Sequence, residues 1–150
     1  MINNQSQTVE ILSCINEISQ NHLSLFISKV AAGFPSPAAD YLEQKLSLDS
    51  LILMNPTASF IVQAQGNSMI GAGIFEKSYL VVDRSLTARN NDIVIVSING
   101  EHLVKRLKKI STGKIALYSE NSDYPPFELK EELENVLWGV VICVMNKLRP

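Results

Sequence analysis

The sequence predicts a mostly β protein: a compact body of short antiparallel strands preceded by a partly helical N-terminal arm. Three observations predict it. Short apolar runs rich in Val, Ile and Leu recur from residue 59 onward: "SFIVQAQ", "SYLVVD", "DIVIVSI", "HLVKRL", "KIALYS" and "VLWGVVICVM". Asn, Gly, Asp and Ser separate them, and these residues accommodate turns. Asn99–Gly100 lies between two of the runs and is the strongest hairpin signal in the chain, because both residue types tolerate positive φ.

The arm reads differently. Ile11, Ile15 and Ile18 fall at helical spacing, and Leu23, Phe26, Ile27 and Val30 repeat the pattern after a break at Asn21–His22. This is an amphipathic segment that docks on something rather than a domain. Small and rigid residues follow: Ala31, Ala32, Gly33, Pro35 and Pro37 have the composition of a linker. A short helix or turn is expected around Ala38–Lys45. The division that results is an arm, residues 1–32, and a β-rich body, residues 33–150.

Composition narrows the function classes. A chain of 150 residues with 46% hydrophobic content is one domain with a real core. Its formal net charge of −2 gives no general basic footprint, so no direct sequence-specific DNA binding is expected. The cluster Lys105, Arg106, Lys108 and Lys109 reads as a solvated strand end. Cys14 and Cys143 have neither metal-ligand spacing nor a disulfide framework, and Cys143 reads as a buried small hydrophobe. The first basic residue is Lys29, and no apolar run reaches membrane-spanning length. A cytoplasmic location with no membrane partner is expected. No P-loop or dinucleotide fingerprint is present, and no metal or other cofactor is expected.

Two residues could carry chemistry. Gly66 breaks a strand, and Ser68 sits at the turn that follows, where its hydroxyl can be exposed beside outward backbone N–H groups. A turn serine more often serves only as a hydrogen-bonding turn residue. Lys105 is the second. Strand alternation puts Leu103, Lys105 and Leu107 on one face and His102, Val104 and Arg106 on the other. An ammonium among leucines is costly to bury, and a lowered pKa relieves the cost by leaving a neutral amine, which is a general base. The alternative is that Lys105 snorkels to an edge, or that the leucine face is not the core. A serine needs a base to become a nucleophile. His22 and His102 are poorly placed for a triad, so a Ser-Lys pair fits better.

"GNSM", "DIVIVSINGEHLVKRLKK", "ENSDYPP" and "GFPSPAADYLEQKL" together resemble the LexA/UmuD family of self-cleaving peptidases, over about Gly33 to Leu148. The joint pattern is a small-residue–Gly bond, a serine 35 residues on, and a lysine 37 beyond that. The resemblance implies cleavage at Ala32–Gly33, Ser68 as nucleophile, Lys105 as general base, and backbone N–H groups of Asn67 and Ser68 as oxyanion hole. It also implies a homodimer and stimulation by a RecA–single-stranded DNA filament. The 33–150 product would then serve a UmuC-like Y-family DNA polymerase in error-prone translesion synthesis. The cleaved pair is Ala–Gly, as is typical of LexA, where UmuD proteins often have Cys–Gly. Glu76–Lys77–Ser78 stands where the family tends to have an acidic-Gly-Asp turn, and Asn90–Asn91 replaces Asn–Gly. These departures alter turns rather than the pair of residues. A non-enzymatic β module that binds a polymerase is the competing reading. A signal-peptidase-like enzyme is disfavoured by the absent membrane anchor, and a repressor by the short arm.

Overall fold

A computed structural model describes residues 8–14, 22–26, 43–111 and 113–149. Ten strands account for half of these residues and most of their regular structure. They are β1 Thr8–Cys14, β2 His22–Phe26, β3 Glu43–Ser47, β4 Ser59–Gln65, β5 Tyr79–Asp83, β6 Ile93–Ile98, β7 Glu101–Lys109, β8 Ile115–Tyr118, β9 Phe127–Glu128 and β10 Leu137–Met145. Two single-turn helices, α1 Leu48–Ile52 and α2 Leu133–Val136, complete the regular structure apart from short 3-10 turns. The body is therefore mostly β, as expected, and every apolar run named from residue 59 onward forms a strand.

Eight strands make one antiparallel sheet in the order β1-β4-β5-β10-β6-β7-β8-β9. Thr8 of β1 also lies opposite Leu103 of β7, so the sheet curls back on itself. Strands β2 and β3 form a separate pair, with Leu23 opposite Leu46. Bulges interrupt β1 between Ile11 and Ser13 and β10 between Val141 and Cys143, and bulges bend strands and sharpen their twist. Curling gives two apolar cores. Val62, Ala64, Met69, Ile74, Leu80, Val82, Ile95 and Val104 fill one. Ala88, Val94, Val96, Leu103, Leu107, Leu117, Val136 and Val140 fill the other.

The Asn99–Gly100 hairpin is present. Ile98 pairs with Glu101 across a two-residue turn, and both turn residues have positive φ, 51° and 81°. Of the partly helical arm expected over residues 1–32, only residues 8–14 and 22–26 are among the described residues. Residues 8–14 and 22–26 are strands, and Ile11 pairs with Val62 rather than facing a helix neighbour. The β4 and β3 edges offer backbone partners that an amphipathic pattern cannot reveal. Ile15, Ile18, Ile27 and Val30 lie outside the described residues. Of the short helix or turn expected around Ala38–Lys45, residues 38–42 lie outside the described residues; Glu43–Ser47 is a strand, and a helical turn follows at Leu48–Ile52. Cys143 is half-buried rather than buried, at the β10 bulge.

Candidate active site

Strand β4 ends at Gln65, and Gly66 turns the chain with φ 85°, a conformation open to glycine. Asn67 and Ser68 follow, before a 3-10 turn at Ile70–Ala72. Met69 is fully buried in the first core and anchors this turn to the sheet. Ser68 is drawn down with it and is itself buried. The turn is thus a loop by backbone and a core element by packing.

Strand β7 supplies the second residue. Leu103 and Leu107 belong to the second core, and Lys105 lies between them with 2% of its surface exposed. The snorkelling alternative is excluded by that burial. So is a fully solvated basic cluster, since Lys105 is interior and Arg106 pairs with the Glu120 carboxylate. The opposite face is also buried in part, because Val104 enters the first core. Desolvation lowers the Lys105 pKa from the ordinary 10.5 to about 8.

These two residues, 37 positions apart, meet. Lys105 Nζ donates to Ser68 Oγ at 3.5 Å, the outer limit of a hydrogen bond, and to Ser119 Oγ at 2.8 Å. Its amine also lies 6.0 Å from the centre of the Tyr124 ring. A serine hydroxyl beside a lysine poised near neutrality can lose its proton to that lysine.

A third segment, residues 119–124, joins the two. Asn121 Nδ2 donates to the Asn67 carbonyl at 3.0 Å, and the Tyr124 hydroxyl donates to Asn67 Oδ1 at 2.7 Å. Gly71 N–H donates to the Glu120 carbonyl at 2.8 Å. The Asn67 carbonyl and the Ser68 N–H share one planar peptide unit, so fixing the carbonyl fixes the direction of that N–H. The segment therefore braces the serine turn on one side and the lysine strand on the other. Sequence reasoning assigned no role to Ser119, Asn121 or Tyr124. The signal was present in "KIALYS": paired antiparallel with β7, that strand carries Ser119 past its end to the position opposite Lys105. Ala32 and Gly33 lie outside the described residues.

A Peptidase S24-like family model matches residues 24–142, and the chain belongs to that family. SamA of Salmonella typhimurium is 40% identical over 130 residues, covering 87% of this chain and 89% of SamA. ImpA of Escherichia coli is 42% identical over 125 residues, covering 83% of this chain and 84% of ImpA. The LexA repressor of Acetivibrio thermocellus is 38% identical over 122 residues, covering 81% of this chain and 55% of that repressor. The LexA/UmuD resemblance read from the motifs agrees with these relatives.

Proposed function

We propose that this protein is a serine peptidase that cuts its own Ala32–Gly33 bond, with Ser68 as nucleophile and Lys105 as general base. One observation carries the reading: a buried serine and a buried lysine 3.5 Å apart, the lysine's pKa lowered to about 8. Neutral Lys105 takes the Ser68 proton as Oγ bonds to the Ala32 carbonyl carbon. Backbone N–H groups of Asn67 and Ser68 hold the oxyanion. The Lys105 ammonium returns its proton to the Gly33 nitrogen as the peptide bond breaks. Water then attacks the Ala32–Ser68 ester with Lys105 again as base, releasing a carboxylate and regenerating the serine. Residues 1–32 leave, and residues 33–150 remain. Because the substrate is tethered, presentation of the bond controls the rate.

The kinship with LexA and with SamA and ImpA supports the wider setting. In it, a RecA–single-stranded DNA filament promotes the cut in the cytoplasm. The homodimeric 33–150 product then acts with a UmuC-like Y-family polymerase in translesion synthesis during the SOS response.

The test is incubation of the pure full-length chain from pH 7 to pH 10.5, followed by intact-mass spectrometry. Self-cleavage at 32/33 should accelerate as pH rises through about 8, because only the neutral amine is a base. Ser68→Ala should stay intact throughout, and Gly33→Glu should resist cleavage with Ser68 untouched. A wild-type chain that stays intact at every pH, with or without the filament, returns the β body to a non-enzymatic binding module.

A further inference from the structure

We infer that Ser119 is the positioning residue for Lys105: its hydroxyl holds the lysine amine so that Ser68 receives the amine's reactive direction. The inference rests on the Ser-Lys reading above and adds a residue to it.

The argument starts from the lysine side chain. Four rotatable bonds lead to Nζ, and a fifth rotation sets where its lone pair points. A base this flexible reaches the right geometry only when something fixes its end. Leu103 and Leu107, its neighbours on the same strand face, carry no polar atom that can orient nitrogen. Ser119 Oγ accepts from Nζ at 2.8 Å, a full-strength bond, against 3.5 Å to Ser68. With one N–H committed to Ser119, rotation about the last bond is restricted.

Ser119 is well held for this task. Arg106 pairs with Tyr118 across β7 and β8, so Ser119 follows at the position opposite Lys105. Opposed residues on adjacent strands present side chains to the same face about 5 Å apart. Its next neighbour is tied down twice: the Glu120 carbonyl accepts from Gly71 N–H at 2.8 Å, and the Glu120 carboxylate pairs with Arg106. The residue after Ser119 is thus fixed to the serine turn and to the lysine strand at once, which holds the backbone that carries the hydroxyl. In the acid–base cycle it accepts from the amine before proton transfer and from the ammonium after it, so it remains bonded in both states.

The experiment compares wild type, Ser119→Ala and Ser119→Thr in the full-length chain. Self-cleavage is followed by intact mass at pH 10, and folding by thermal unfolding. Ser119→Ala should slow cleavage about 10- to 100-fold, the scale of a misplaced catalytic group, with its melting temperature close to wild type. Ser119→Thr keeps an Oγ at the same position and should recover to within a few-fold of wild type. If Ser119→Ala cleaves at the wild-type rate, the inference is overturned while the peptidase reading stands. If the threonine variant melts like wild type yet is as slow as alanine, the hydroxyl is not what matters, and the inference also falls. A wild type that does not cleave removes the peptidase reading and this inference with it.

Discussion

Lys105 and Arg106 are adjacent on β7 and carry the same formal charge, yet their surroundings are opposite. Arg106 is half-exposed, pairs with Glu120 and donates from Nη1 to the Asn91 carbonyl at 2.7 Å. Lys105 is buried between leucines, and its described hydrogen bonds run to two hydroxyl groups, which carry no countercharge. A paired guanidinium ties two segments together and keeps its charge. An amine taken from water without a carboxylate is pushed toward neutrality, which costs stability and supplies a base. Strand alternation turns the two side chains to opposite faces, and what surrounds each there separates their roles.

Lys105→Met gives the largest expected separation. Methionine matches the stem's length and has no charge to desolvate. Self-cleavage should fall at least about 1,000-fold, within the range general bases contribute, while the melting temperature at pH 7 rises. The gain should itself depend on pH. Below about 8, folded and unfolded chains both hold the lysine proton, and the folded state bears the full desolvation cost. Between about 8 and 10.5 the unfolded chain binds more protons, so Lys105's contribution to stability improves with rising pH. The stability difference between wild type and Lys105→Met, measured by urea unfolding, should therefore shrink across that window. A constant difference would mean that Lys105 is not desolvated.

A substitution that touches neither residue comes next. A Cβ on Gly71 would lie 2.6 Å from the Glu120 carbonyl oxygen, a backbone atom that cannot swing aside. Gly71→Ala should push the serine turn away from the 119–124 segment. Overpacking of this kind typically costs about 1–3 kcal/mol, and self-cleavage should slow because Ser68 moves relative to Lys105. Retained rate with reduced stability would show that the turn and the lysine strand are registered by other contacts.

Much of this was legible in the sequence because the physics was local. Alternation in "HLVKRL" puts Lys105 on the face of Leu103 and Leu107, since adjacent residues on a strand point to opposite sides, but both faces of β7 carry buried residues and only the fold shows the lysine to be interior. Asn99–Gly100 announces its own turn. At residues 8–14 and 22–26 the strands were not legible, because apolar residues at helical spacing say which side is apolar but not whether a sheet edge waits to pair with the backbone. The 119–124 brace was illegible for a different reason. Asn121 and Asn67 are 54 residues apart, and their bond exists only because β8 returns beside β7 and the serine turn is pulled down by Met69. Asp83 shows the limit in miniature. The charged residues of "KSYLVVDRS" read from sequence as solvated surface, yet Asp83 is fully buried and accepts from the Ser85 N–H at 2.7 Å and the Ser85 hydroxyl at 2.6 Å, closing a turn.

The smallest effect is expected at Arg106. Its removal takes away a half-exposed charge pair and one hydrogen bond to the Asn91 carbonyl, and leaves Lys105 in place. Charged hydrogen bonds of this kind are worth about 1.5–3 kcal/mol when fully buried, and exposed pairs about 0–1 kcal/mol. Arg106→Gln should therefore cost about 1 kcal/mol in urea unfolding. Self-cleavage should fall only a few-fold, through looser placement of the segment that carries Ser119. Glu120→Gln removes the same pair from the other side, so the double variant should lose little more than either single one. Full additivity would mean that the two side chains act separately. A loss of cleavage as large as that of Lys105→Met would mean that charge on either face of β7 matters, and the contrast between the neighbours would then be one of degree.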